Sequence, residues 1–118
     1  VVLADPEHPN RKWQQAAESM RQLALSWGDQ PYGAVLVTAS GVVGEGPSRV
    51  VKNSDQDAHA EREAIRDAQL RLGRTDLAGS VLYSTSKPCR LCEQAAARAN
   101  VSRMYFGAGL VDAGSPRQ

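Results

Sequence analysis

Four side chains in this sequence are of the types that hold metals and move protons: His59, Glu61, Cys89 and Cys92. They fall in two short stretches, "DAHAERE" (57–63) and "SKPCRLC" (86–92). Soft ligands are otherwise scarce, since the chain has two cysteines and only one other histidine, His8. Two thiols three positions apart at a helix start share its backbone N–H groups and the positive end of its dipole, which favours the thiolate that a metal needs. With His59 as third donor the set is one nitrogen and two sulfurs. That suits Zn2+ and leaves the fourth tetrahedral corner to solvent, as in a catalytic site. Two thiolates and a neutral imidazole also balance the ion's two positive charges. Residues two apart on a regular helix point roughly 200° away from each other, so His59 and Glu61 do not both bind one ion. If His59 sits at an irregular first turn, Glu61 reaches the open corner without ligating, which is the place of a proton shuttle.

The elements that must position these groups are legible in the periodicity. From Asn10 to Trp27, Trp13, Ala16, Ala17, Met20, Leu23, Ala24 and Trp27 recur at three- and four-residue steps and line one face of a helix that Gly28 and Asp29 end. Both tryptophans share that stripe and read as core residues rather than stacking platforms for bases. "YGAVLVTASGVVGEG" reads as two strands, Ala34 to Thr38 and Val42 to Glu45, around a turn at Ser40 and Gly41. A polar loop, 48–57, leads into a second helix, Ala58 to Leu72, with Gly73 placed for a left-handed cap. On it Arg62, Glu63 and Arg66 read as a solvated face. "SVLYSTS" (80–86) predicts a buried strand, Cys89 to Ala99 a third helix, "RMYFG" a further strand, and the tail from Ala108 an irregular segment. Alanines 95, 96, 97 and 99 let that third helix lie close on a sheet. The order predicts an α/β fold: a mixed central sheet of four to five strands with helices on both faces.

Composition bounds the rest. At 118 residues the chain is one domain, 1–118, with 42 % apolar and 23 % charged residues, in the range of an ordinary globular protein. The net charge of +1 favours a small substrate over a large nucleic acid, although a local basic patch is compatible with it. No apolar run approaches the roughly 20 residues of a membrane span, and the first residues lack a signal-peptide pattern, so the chain reads as cytoplasmic.

His59-x-Glu61 followed by Pro88-Cys89-x-x-Cys92 is the signature of zinc nucleobase deaminases. The chain resembles the zinc-dependent cytidine and deoxycytidylate deaminase superfamily, within it the branch of guanine deaminases and tRNA adenosine deaminases. The resemblance runs through "PYGAVLV", "HAE" into "REAIRDA", "VLYSTS", "PCRLC" and "RMYFG". It implies a three-layer cytidine-deaminase-like fold and hydrolytic deamination with a zinc cofactor. His59, Cys89 and Cys92 would be the ligands and Glu61 the catalytic acid and base. It further implies that the backbone at Gly33 and Ala34 walls the pocket and that the carbonyls of Ser86 and Lys87 accept from the leaving amine. Apart from the resemblance, the balanced charge favours a small heterocyclic amine as substrate, no membrane partner is expected, and a homodimer is expected.

The sequence departs from that pattern in places. Ser48 stands eleven positions before His59 where the family usually has a substrate-contacting asparagine, and Asp57 replaces the usual threonine, bringing a carboxylate near the pocket mouth. Lys87 and Arg90 add positive charge beside the first cysteine. Together these point to a substrate with a polar or charged substituent. Relatives continue into a further strand and helix where this sequence ends at Gln118, so a neighbouring subunit is expected to complete the pocket. Three other readings compete. A tRNA adenosine deaminase needs a basic surface for its RNA. A structural zinc site needs a fourth ligand, for which only His8 is spare, and a redox Cys-x-x-Cys pair would leave His59 and Glu61 without a role.

Overall fold

The computed structural model describes residues 11–55 and 58–116. The expectations for Asn10, His8 and Asp57 lie outside these. Eight elements follow one another: α1 (Arg11–Ser26), β1 (Gly33–Thr38), β2 (Gly41–Pro47), α2 (Ala60–Leu72), β3 (Val81–Ser84), α3 (Arg90–Arg98), β4 (Arg103–Phe106) and β5 (Val111–Gly114). The strands form one sheet in the order β2-β1-β3-β4-β5. Only β3 and β4 are parallel, because α3 is the crossover between them; the other neighbours are antiparallel.

Alternation along the strands assigns the faces. Val35 and Val37 of β1, Val81 and Tyr83 of β3 and Tyr105 of β4 point to one side, where Trp13 and Ala17 of α1 cover them. Ala34, Leu36, Leu82 and Met104 point to the other, beneath Ala60, Ala64, Ile65 and Ala68 of α2 and Ala96 and Ala99 of α3. The three-layer α/β expectation therefore holds. Each large side chain buried this way contributes about 1.5–3 kcal/mol relative to exposure.

How closely α2 lies on the sheet is decided by glycine. A Cβ at Gly46 would run into the Ala60 carbonyl oxygen and stand 2.5 Å from the Ala64 nitrogen; one at Gly44 would run into the Ala64 carbonyl and stand 2.8 Å from the Ala68 Cβ. Ala60, Ala64 and Ala68, one turn apart on α2, thus ride in a groove made by two glycines of β2 that share a face. That groove sets the height of the N-terminus of α2, and with it His59 and Glu61. At its other end α2 stops at Gly73, whose φ of 66° is the left-handed cap expected there.

Four expectations are corrected. The tail is not wholly irregular: residues 111–114 pair with β4 as β5, and Arg103 grips Asp112 across that pair at 2.9 Å. A four-residue edge strand held by one ion pair carries too little periodicity to be read locally. Trp27 is only half-buried and stands just past the end of α1. Its ring instead lies under the Lys52 ammonium at 3.9 Å and the Arg49 guanidinium at 5.4 Å. Glu63 is not part of a solvated face: it is 5 % exposed and paired with Arg49 at 3.5 Å and Arg66 at 3.3 Å. The loop 48–55 folds back over the start of α2 and covers that carboxylate. Finally, α2 and α3 begin at Ala60 and Arg90, each later than expected, because His59 and Cys89 are caps with extended backbone.

Candidate active site

The two half-motifs meet at the N-termini of α2 and α3. His59 caps α2 with φ −64° and ψ 152° and makes no side-chain capping bond, so its ring is free to face outward from the helix start. Cys89 caps α3 with φ −72° and ψ 168°, and its sulfur accepts the Cys92 N–H at 3.4 Å. The Nδ1 of His59 stands 3.6 Å from the sulfur of Cys92 and 3.8 Å from that of Cys89, and the two sulfurs are 3.2 Å apart. With Zn–S near 2.3 Å and Zn–N near 2.0–2.1 Å, a tetrahedral ion has edges of about 3.8 Å between sulfurs and about 3.5 Å between sulfur and nitrogen. The three donors therefore fit zinc, with the sulfurs about half an ångström closer than that edge. Both thiols are free. Among the described residues, this is the one group of three or more His, Cys, Asp or Glu side chains drawn together so that one ion could be held.

The extended cap also answers how His59 and Glu61 can serve one site. Because His59 precedes the helix, the regular angular step does not apply to it, and Glu61 enters the site from the first turn of α2. Its carboxyl is 4 % exposed and hydrogen-bonded to the Cys92 side chain and to its own backbone. Burial pushes it up to about 7, against the opposing pull of those bonds. A carboxyl tuned there holds or yields a proton at neutral pH. Cys92 departs from the helix-dipole expectation: burial raises its thiol well above the ordinary value, and the Glu61 and Cys89 side chains raise it further. Metal uptake at Cys92 is thus coupled to proton release.

A cavity of about 400 Å³ opens beside these groups, with Cys92 buried behind it. His59, Glu61 and Cys89 lie along it, with Ser86 and Lys87 on the β3–α3 turn. The expected wall at Gly33 and Ala34 is formed instead by Gln30 and Tyr32, which sequence reasoning missed. Gly33 is turned against α1, where a Cβ would meet the backbone of Ala17 and Arg21, and both its main-chain groups bond Thr85. Ser48 does not line the cavity either. It is fully buried and donates to Asp29 at 3.0 Å, so its hydroxyl ties the rim together instead. Ser86 lines the cavity, and its carbonyl already accepts the Ser84 hydroxyl at 2.6 Å, leaving one lone pair.

Asp29 is the knot of this rim. Besides Ser48, its carboxylate accepts the backbone N–H groups of Gln30 and Lys52, each at 2.8 Å. Burial alone would raise this carboxyl, yet the bonds from Lys52, Gln30, Val51 and Ser48 together hold it below its ordinary value. The knot joins the rim residues 30–32 to the loop that runs into His59, whose far end is fixed by Arg49 N–H to the Ala58 carbonyl at 2.9 Å. A second cavity, about 430 Å³, lies between α1, β2 and α2 beside Glu63 and Arg66. It holds none of the metal-binding side chains.

Comparison with known proteins agrees with this geometry. A tRNA-specific adenosine deaminase of Buchnera aphidicola subsp. Schizaphis graminum is 33 % identical over 100 residues, 85 % of this chain and 66 % of that protein. The guanine deaminase of Bacillus subtilis is 36 % identical over 83 residues, 70 % of this chain and 53 % of that protein. An X-ray structure of guanine deaminase from Bacillus subtilis superposes with a TM-score of 0.80 at 28 % identity, covering 89 % of this chain and 73 % of that one. The chain spans about half to two thirds of the length of the curated relatives it matches. Residues 7–108 match the sequence profile of the cytidine and deoxycytidylate deaminase zinc-binding region, and with the donor set at His59, Cys89 and Cys92 the chain belongs to that zinc-binding deaminase family.

Proposed function

We propose that the chain is a zinc-dependent hydrolytic deaminase acting on the exocyclic amine of a small nucleobase, nucleoside or related heterocycle. One juxtaposition carries the reading: a histidine and two cysteines gathered at two helix starts, with a buried carboxyl beside them and a cavity lined by His59, Cys89 and Glu61. Zinc, when bound, supplies Lewis acidity toward water. His59, Cys89 and Cys92 hold the ion, and Glu61 does the proton work. Overall, a C–O bond forms from water as the C–N bond to the amino group breaks. Glu61 takes the two protons of water in turn, passing one to the ring nitrogen and one to the departing ammonia. The Ser86 and Lys87 carbonyls orient that amine. Replacing Glu61 by Gln should leave zinc stoichiometry at one per chain and lower ammonia release by about 10²–10⁴-fold. A Glu61→Gln variant as active as the wild type, or no ammonia from guanine, adenine, cytosine, their nucleosides, triazines or pterins, would refute it.

A second reading, deamination of adenosine in tRNA, has two supports. Several relatives are tRNA-specific adenosine deaminases. Lys52 and Arg49 over Trp27 also form a basic, aromatic patch of the kind that single strands use. Binding of tRNA that fades steeply between low and moderate salt would favour it. We read the free thiols as suited to the cytoplasm. A homodimer is proposed because Leu91, 57 % exposed between the two cysteines, leaves apolar surface beside the site; sedimentation of an active monomer would exclude it. Among the described residues no helix is long and apolar enough to cross a membrane.

A further inference from the structure

A cavity of about 220 Å³ lies between α2 and α3 and shares no lining residue with the active-site cavity. Three guanidiniums line it, Arg62 and Arg66 from α2 and Arg98 from α3, and among the described residues no carboxylate does. The cavity between α1, β2 and α2 also holds three arginines, but there Glu45, Glu63 and Asp67 match them one for one. In a chain whose net charge is only +1, three cations around one small space are a local concentration that overall composition does not produce. Arg62 and Arg66 are one turn apart and share a face of α2, while Ala95 and Ala99 on α3 are short enough to leave the space between the helices open. Its end is fixed: the Gln69 side-chain amide donates to the Thr75 carbonyl at 3.1 Å, and the Leu77 N–H donates to the Ala99 carbonyl at 2.7 Å. Acidic side chains close along the chain are engaged elsewhere, since Asp67 pairs with Arg71 and Asp76 accepts from Ala78 and Asn100. Arg66 is paired with Glu63 at 3.3 Å and Arg62 also has a partner, yet a guanidinium carries five N–H donors, so each keeps donors for a further acceptor. Arg98 stands in the last turn of α3, where one cation complements the helix dipole. That accounts for one arginine and not for three.

We propose that the cleft between α2 and α3 is a phosphate-binding site, taking the phosphate group of a small ester or of a nucleic-acid backbone. Planar guanidinium forks bind phosphate oxygens in pairs through charge-assisted hydrogen bonds, which a single ammonium cannot imitate. The space is smaller than the roughly 300–1,000 Å³ of sites that enclose a whole drug-sized ligand, so it takes the phosphate group and leaves the rest of the molecule outside. A phosphate held from both sides bridges α2 to α3. The inference is independent of the deaminase reading, because binding reports on it without turnover.

The test uses the zinc-loaded full chain in phosphate-free buffer at fixed ionic strength. Equilibrium dialysis measures binding of inorganic phosphate and pyrophosphate, and zinc content with the urea midpoint reports folding. The wild type should bind one anion per chain with a Kd of about 1 mM or below. Arg98→Gln should weaken binding by about tenfold or more, and Arg98→Lys should recover only part of the loss, since an ammonium lacks the fork. Arg21→Gln removes the same charge from α1, on the opposite face of the sheet, and should bind as the wild type does. A wild type that shows no saturation at about 10 mM would overturn the proposal. So would Arg98→Gln binding at full strength, or Arg21→Gln losing as much as Arg98→Gln, which would reduce the effect to net charge. Two further arms identify the source. A short single-stranded RNA that pyrophosphate displaces and Arg98→Gln weakens assigns the site to a nucleic-acid backbone; ribose 5-phosphate that competes with pyrophosphate where the RNA does not assigns it to small phosphate esters.

Discussion

Gly46→Ala is a single-methyl change far from the reacting groups that the packing makes severe. The new Cβ would overlap the Ala60 carbonyl and stand 2.5 Å from the Ala64 nitrogen and 3.0 Å from the Ala64 Cα. All of these are backbone atoms, so no side chain can turn aside. Restoring a normal contact of about 3.5 Å to that nitrogen requires α2 to back away from β2 by about 1 Å. Overpacking of this kind costs about 1–3 kcal/mol, while the alanine gains back about 0.4–1 kcal/mol by restricting the unfolded chain. A net loss of about 1–2 kcal/mol is therefore expected from urea unfolding of the zinc form. The functional effect should be larger than the stability loss suggests. Ala60 follows His59 and precedes Glu61, so the displaced turn carries one ligand and the proton-handling carboxyl away from the cysteines on α3. A misplacement of about 1 Å can cost on the order of 100-fold in turnover, and zinc affinity should fall with it. Competition with a chromophoric chelator measures the affinity. A variant with wild-type zinc affinity and an unchanged urea midpoint would show that the glycine groove does not set the height of α2.

Two further predictions concern the rim and the ion. Asp29→Asn should destabilise the protein by about 1–3 kcal/mol at neutral pH, because an amide accepts the N–H groups of Gln30 and Lys52 less well and cannot replace the charge. Since the native carboxyl sits below its ordinary value, its contribution is complete above about pH 4–5 and lost as pH falls below the unfolded value of about 3.9. The wild type and variant should therefore converge in acid, and a gap that stays constant through pH 3 would refute the role of the charge. Removing zinc with a chelator should lower Tm, and restoring free zinc to about 1,000 times Kd should return about 4 kcal/mol of stability. Cys92→Ala should abolish that zinc-dependent rise, and a rise that persists would place the ion elsewhere.

Much of this protein could be read in order along the chain. The donor types and their spacing, the apolar stripe of α1, the alternating strands and the Gly73 cap are local features, governed by the few residues on either side and by helix and strand periodicity. The helix starts were legible to within two residues, and their extended caps explain how His59 and Glu61 share a site despite their spacing. Other features depend on residues far apart in sequence. Glu63 is buried and paired with Arg49 from the loop before α2, and Trp27 is half-buried under Lys52 and Arg49 of that same loop. Ser48 faces Asp29 and not the cavity, Tyr32 stands on the rim in the place expected for Gly33, and β5 exists only by pairing with β4. Each is settled by what packs across from it, and a partner tens of residues away leaves no period or cap signal in the local sequence. The convergence of α2 and α3 on one point is of the same kind: residue types announced the metal chemistry, but the glycine groove of β2 and the β3–α3–β4 crossover decide that the donors meet.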